Sequence, residues 1–304
     1  MSIEPDNTNV SKVLGKVVDY PDQYDPTILV REPRQSNRIH LDISDDDPPF
    51  VGADVWNAYE ISCLTTKGLP VAAIAKIVYP CTNKYIVESK SIKLYFNSYN
   101  MSRFGNTREE ALQEIGNRAS ADLSDLLETN VVVCLFTPTE ARTLATNDIF
   151  NPAKYITLED DDKLVENLEF NTYSETPDLL RATSTSYQTK QYFHSSLLKS
   201  NCRVTHQPDW GDVYIYIDST NNLNKEQLLK YIVSFRDENH FHEEIAETIY
   251  KRLWSLYKPR ELAVTCLYAR RGGIDINPTR VSHVDLLNLD LIDPQVVFTK
   301  TPRQ

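Results

Sequence analysis

Eight glycines in 304 residues, none spaced as G-x-G-x-x-G or G-x-x-x-x-G-K-[ST], limit what this chain can fold around. A Rossmann crevice needs glycines for its tight turn and for backbone to approach a pyrophosphate. A P-loop needs them to wrap a phosphate in backbone N–H groups. Both are excluded as far as sequence can exclude them, so any nucleotide held here must be gripped by side chains. With 41% hydrophobic and 25% charged residues, the composition is that of an ordinary globular protein. The length allows two domains or one large one. The longest apolar runs, such as residues 131–136, fall far short of the ~20 residues a membrane helix needs. No basic stretch followed by an apolar one opens the chain, so no secretory signal and a cytoplasmic location are expected. A net charge of −11 argues against direct nucleic-acid binding, which depends on Lys and Arg neutralising phosphates. The five cysteines, Cys63, Cys81, Cys134, Cys202 and Cys266, are scattered with no C-x-x-C pair. They suggest reduced thiols, with neither a disulfide framework nor a structural zinc site.

Along the chain, residues 1–48 are polar and acidic towards Pro48-Pro49, which reads as an irregular arm wrapped around a domain. A first module is expected over 49–144. Residues 71–79 form a buried strand, a helix follows from Asn106, and residues 131–137 form another strand. In that helix Thr107 and Glu110 have capping-box spacing, and Leu112, Ile115, Ala119, Leu123 and Leu126 recur at helical intervals. Residues 145–190 are acidic and read as a connector, with strands at 154–158 and around Phe170. A second module, 191–304, repeats the style. It has a strand at 212–218 and a helix capped by Asn224 with Gln227. A second helix carries His242, Ile245, Ile249, Leu253 and Leu256 and is ended by Pro259, and a strand follows at 262–269. Strand, helix, strand in both halves points to a duplicated α+β unit.

Two runs carry chemistry. Cys202 and Asp209 lie seven residues apart in Ser200-Asn201-Cys202-Arg203-Val204-Thr205-His206-Gln207-Pro208-Asp209-Trp210. They offer a thiol nucleophile and an acid before a Pro-Asp-Trp turn. Burial beside Pro208 and Trp210 would favour the protonated acid, and Arg203 would stabilise the thiolate. Most free cysteines are buried small hydrophobes, a fate that suits Cys63, Cys134 and Cys266, but Cys202 sits in a polar run. The second run, Glu88-Ser89-Lys90-Ser91-Ile92-Lys93, reads either as a solvated helix start capped by Glu88 or as a ligand site. In the latter, a carboxylate would accept the paired donors of a guanine-like edge. Ser89, Lys90, Arg270 and Arg271 are candidates for phosphate, and Gly272-Gly273 after the Arg pair lets backbone approach a ligand. His242 is either a satisfied core histidine or a site residue. His240 and His242, two apart, do not share a helix face, so no metal site is expected.

These runs resemble the nitrile reductases of the QueF family in their long, two-module form. The resemblance extends over Pro49-Phe50, Asp54-Val55-Trp56, Tyr59-Glu60 and Lys67-Gly68-Leu69-Pro70. It continues in Ser234-Phe235-Arg236, Phe241-His242-Glu243 and Arg270-Arg271-Gly272-Gly273-Ile274-Asp275-Ile276-Asn277-Pro278. It implies tandem tunnelling-fold (T-fold) modules, antiparallel sheets backed by long helices that close into barrels on association, as a homodimer. It also implies NADPH-dependent reduction of the nitrile of 7-cyano-7-deazaguanine to the primary amine, 7-aminomethyl-7-deazaguanine, in queuosine biosynthesis for transfer RNA. The route would run through a covalent thioimidate on Cys202, with Asp209 and His242 moving protons. Val87, Glu88, Ser89, Phe241, His242 and Glu243 would form the base pocket. Ser89, Lys90, Arg270, Arg271 and Gly272 would bind NADPH, and no metal is implied. The alternatives are an amidinotransferase-type enzyme of the same fold, which adds an amine donor to the nitrile, and a noncatalytic binding module. The intact Glu-Ser-Lys-Ser run and the Cys/Asp pair argue against them.

Overall fold

The computed structural model describes residues 21, 23–146, 149–151 and 153–304. The arm carries β1 (Arg31–Pro33) and α1 (Gln35–Arg38). Hairpin β2 (Val51–Leu64) and β3 (Pro70–Pro80) follows, then β4 (Tyr85–Val87), α2 (Ser89–Ser98), α3 (Arg108–Leu127) and β5 (Val132–Phe136). The connector holds α4 (Pro138–Leu144), β6 (Ala145–Thr146), β7 (Ile156–Thr157) and α5 (Asp162–Val165). Hairpin β8 (Thr183–Asn201) and β9 (Pro208–Asn222) then leads to α6 (Lys225–Ser234), α7 (His242–Tyr257), β10 (Glu261–Tyr268) and β11 (Ile274–Val281). α8 (Leu289–Ile292) and β12 (Val297–Phe298) come last. Each half thus runs hairpin, two helices, strand, the α+β pattern of antiparallel strands backed by helices.

The two halves share one eight-stranded sheet, in the order β5-β3-β2-β11-β10-β9-β8-β7. All pairings in it are antiparallel except β7 with β8. The seam is β2 against β11, registered from Ala58↔Ile274 to Val51↔Val281. At this seam the backbones come so close that a Cβ on Gly52 would lie 2.0 Å from the Thr279 carbonyl oxygen. Alternation along each strand separates two faces. Val213, Ile215, Ile217, Val264 and Cys266 face one apolar core with α6 and α7, and Ala73, Ala75, Ile77, Ile274 and Ile276 face another with α2 and α3.

Helix α3 starts where expected: Thr107 Oγ1 accepts the Glu110 N–H at 3.1 Å. In return the Glu110 carboxylate accepts the Asn106 N–H at 2.7 Å, one residue before the expected partner. Its buried stripe is Ala111, Ile115, Ala119, Leu123 and Leu127, with Leu112 and Leu126 only flanking it. Asn224 caps α6 by accepting the Gln227 N–H at 3.0 Å. In α7, Leu256 is exposed because the inward row runs through Ile245, Ile249, Leu253 and Tyr257. Phe170 lies outside any strand, and β8 begins at Thr183, inside the expected connector.

The arm is more than a wrapping. It inserts Arg34 and Arg38, both buried, into an ion network with Asp54 of β2, Arg280 of β11 and Glu247 of α7. Arg34 donates to Asp54 at 2.5 Å and Arg280 to the same carboxylate at 2.8 Å. Glu247 accepts two bonds from Arg38, at 2.8 and 2.9 Å, and two from Arg280, at 3.0 and 3.2 Å. Buried charges survive only when paired and bonded in this way. The network ties arm, both halves and α7 together behind the site.

Candidate active site

Cys202 opens the tight turn between β8 and β9. Its N–H donates to the Gln207 carbonyl at 2.8 Å, and the His206 N–H donates back to the Cys202 carbonyl at 3.0 Å. His206 takes a left-handed φ of 56°, which curls the turn and folds its donors onto the sulfur. Burial pushes the thiol up, but the Thr205 hydroxyl, the Thr205 and Val204 N–H groups and the Arg271 guanidinium bond the sulfur. The balance falls below the ordinary cysteine range. Burial pushes the other four thiols up, to about 11 at Cys63 and Cys81 and about 12 at Cys266, with Cys134 also raised. Cys202 is therefore the one of the five cysteines whose thiol lies below its ordinary range. Arg203 plays no part in this: it pairs with Glu244 at 2.6 Å and lies over the Phe241 ring. Arg271 takes the role assigned to it.

Asp209 lies in β9, opposite Ser200, and not in a turn. Trp210, its neighbour on an extended strand, points to the other face and meets Arg236. The buried Asp209 carboxylate instead faces Arg271 Nη1 at 3.2 Å and His242 Nε2 at 3.5 Å. Arg271 thus pairs with the acid and favours the thiolate. The His242 ring, on the first turn of α7, packs at 3.9 Å on that of Tyr268.

Cys202, His242 and Arg271 open into a cleft of about 290 Å³, whose lining also includes Ser89, Lys90 and Lys93 but not Asp209. Lys90 and Lys93 are three apart and share a face of α2. Lys93 sits 3.3 Å from Glu60. Gly272, at φ 61°, keeps clear the space where a Cβ would come within 3.5 Å of the Lys93 ammonium. The cationic rim and its glycine suit a phosphate. Lys93, Thr205 and Gln207 were missed by sequence reasoning. The i, i+3 spacing of the two lysines and the hydroxyl three residues after Cys202 were the available signals.

Glu88 takes the capping role weighed for it: its two oxygens accept the Lys90 N–H at 3.0 Å and the Ser91 N–H at 2.7 Å. It is buried, and burial raises it above the usual carboxylate range. Glu243 is also buried, and its Oε1 has no hydrogen-bond partner among the described residues. Burial, then the nearby charge of Asp54, pushes it up to about 8. Val87 ends β4, just ahead of Glu88. Phe241, at the N-cap of α7, and Arg270 lie outside the cleft lining. The Arg270 guanidinium stacks 3.3 Å above the Tyr59 ring. Among the described residues, no group of three or more His, Cys, Asp or Glu could hold a metal ion, and no helix is long and apolar enough to cross a membrane.

Comparison with known proteins gives two family matches. Residues 20–135 match "Nitrile reductase, 7-cyano-7-deazaguanine-reductase N-term" and residues 208–285 match "QueF-like protein". An NADPH-dependent 7-cyano-7-deazaguanine reductase of Acidovorax ebreus (strain TPSY) is 42% identical over 91% of this chain and 95% of its own. The enzyme so named from Polaromonas naphthalenivorans (strain CJ2) is 40% identical over 91% of this chain and 95% of its own. That from Colwellia psychrerythraea (strain 34H / ATCC BAA-681) is 37% identical over 98% of both chains. A solved structure, "Crystal structure of the archaeosine synthase QueF-Like in the apo form", is 19% identical over 34% of this chain and 99% of its own, with a TM-score of 0.28.

Proposed function

The chain belongs to the 7-cyano-7-deazaguanine reductase family of nitrile reductases, and on that premise we propose that it reduces the nitrile of 7-cyano-7-deazaguanine to the primary amine, with NADPH as reductant, in the queuosine pathway. The observation that carries this reading is the lowered Cys202 thiol in the lining of a cationic cleft, with Arg271 of the same lining paired to Asp209.

The Cys202 thiol gives its proton to the Asp209 carboxylate as the sulfur adds to the electron-poor nitrile carbon; a carbon–sulfur bond forms, one carbon–nitrogen π bond opens, and the nitrogen takes that proton from Asp209. Arg271 holds thiolate and acid in register, and His242, on the far side of the carboxylate, returns the proton. Lys90, Lys93, Ser89 and the open backbone at Gly272 would receive the phosphates of NADPH. When bound, NADPH supplies the two hydride equivalents of a four-electron change from nitrile to amine. Between them the Cys202–carbon bond breaks and the thiol is restored. Glu243, with its unpartnered oxygen, and Glu88 would accept the ring N–H and exocyclic amine of the base, since each carboxylate oxygen has lone pairs to spare. Val87 and Phe241, outside the cleft lining, would complete that end of the base pocket, and Arg270 stays on Tyr59.

A homodimer fits the sheet edges. Among the described residues, β5 pairs on one side only, and the outer side of β8 meets only the two residues of β7. Unpaired edges of this length are templates for a second copy.

The test is NADPH consumption by purified protein with 7-cyano-7-deazaguanine. Two NADPH spent per base, lost in Cys202→Ala, is the expected result. Consumption that ignores the base, or that survives Cys202→Ala, would overturn the proposal.

A further inference from the structure

The face of the sheet away from the helices holds a second cavity, of about 200 Å³, between the sheet and residues 299–302. Leu267, Tyr214 and His194 line it; each alternates with neighbours such as Cys266, Val213 and Phe193 that face the helices, so the sheet separates it from the catalytic cleft. Its walls are aromatic. Phe150 stacks on Tyr214 at 4.1 Å, Tyr155 meets both edge-on at 5.4 and 5.3 Å, and the His194 ring stacks on Tyr214 at 4.5 Å.

Its polar groups favour a negative charge. Among the described residues, no Asp or Glu belongs to the lining. Lys300 Nζ and Thr301 Oγ1 are buried with no hydrogen-bond partner among the described residues. The carboxylate nearest to Lys300, Asp275 at 3.3 Å, is already committed. It accepts Tyr59 at 2.5 Å, Asn57 at 2.7 Å and Asn277 at 2.6 Å. Arg270 and Lys76 add positive charge nearby. The ammonium also lies 3.8 Å over the Phe298 ring, so it is partly compensated, yet with its counter-ion shared out in this way it would gain from a further acceptor. Thr301 adds a hydroxyl, and His194 is held in place by Thr157 at 3.1 Å and Asp212 at 3.6 Å.

We propose that this cavity is a second ligand site, separate from the reductase cleft, for a small aromatic anion whose acidic group bonds Lys300 and Thr301 and whose ring packs on Tyr155 and Tyr214. Benzoate is the simplest probe. Saturation-transfer NMR and calorimetric titration on the full chain should give saturable binding of benzoate. Lys300→Met should weaken it about tenfold or more, as loss of a charge-assisted bond entails, and Thr301→Val, which keeps the cation, should weaken it less. Acetate, with the charge but no ring, and benzyl alcohol, with the ring but no charge, should bind far more weakly. Saturating 7-cyano-7-deazaguanine should leave benzoate in place. Absence of saturable binding, or equal binding of acetate, would overturn the assignment. So would unchanged affinity in both variants, or displacement by the base, which would locate benzoate in the catalytic cleft.

Discussion

Glu243→Gln should make the free protein more stable, and increasingly so as pH rises. The acid is fully buried, one of its oxygens has no partner, and its ordinary value of 4.5 is pushed up to about 8 by burial and by Asp54. Between those two values the unfolded chain has lost this proton and the folded chain still holds it. The unfolded state then binds fewer protons, so stability falls with rising pH across that window and stays reduced above it. Each pH unit there is worth about 1.4 kcal/mol, which sets an upper limit of about 5 kcal/mol on the total cost of ionising the acid. Glutamine never ionises and keeps the shape, so the variant escapes the penalty. Other groups titrate alike in both proteins and cancel in the difference. The assay is urea unfolding of both proteins from mildly acidic to mildly alkaline pH, with equal m-values required. The stability difference should grow by several kcal/mol towards alkaline pH. A difference that stays flat, or that grows towards acid, would refute the claim that the free protein holds Glu243 protonated at neutral pH.

Thr205→Ala removes a hydroxyl that holds the Cys202 thiol low, so the pH profile of Cys202 alkylation by iodoacetamide should move to higher pH, with Thr205→Ser close to the parent. Asp209→Asn should lower kcat by roughly 10²–10⁴-fold, the usual worth of a positioned acid, as read by steady-state kinetics. Asp54→Ala leaves Arg34 and Arg280 without their shared carboxylate and should cost about 3–5 kcal/mol in denaturant unfolding. Lys76 donates to the carbonyls of Asp290, Asp293 and Val296 at 3.2, 2.7 and 2.7 Å. Lys76→Met should therefore speed hydrogen exchange in residues 289–298 well before it does so in β3.

What could be read from sequence was local. The i, i+4 row of α3, the Thr107 and Asn224 caps and the strand run inside β9 are set by neighbours a few residues apart. Cys202 and Asp209 were legible as a pair because a single hairpin turn separates them. What escaped depends on distant partners. Arg38 meets Glu247, 209 positions away, so a polar arm gives no hint that its arginines are core. Arg203 looked like the cation beside the thiol, yet the turn aims it at Glu244 and leaves Arg271, from the loop before β11, to reach the sulfur. Arg270 and Arg271 are adjacent, but one stacks on Tyr59 and the other enters the cleft. No motif spacing reveals that division.

The most direct test of the account is intact-protein mass spectrometry after mixing the chain with 7-cyano-7-deazaguanine and no NADPH. The account predicts a gain equal to the mass of the base, located by digestion at Cys202, lost in Cys202→Ala and discharged when NADPH is added. No adduct, or an adduct on any of the other four cysteines, would contradict it. An adduct at Cys202 that NADPH leaves untouched would keep the nucleophile and refute the reduction.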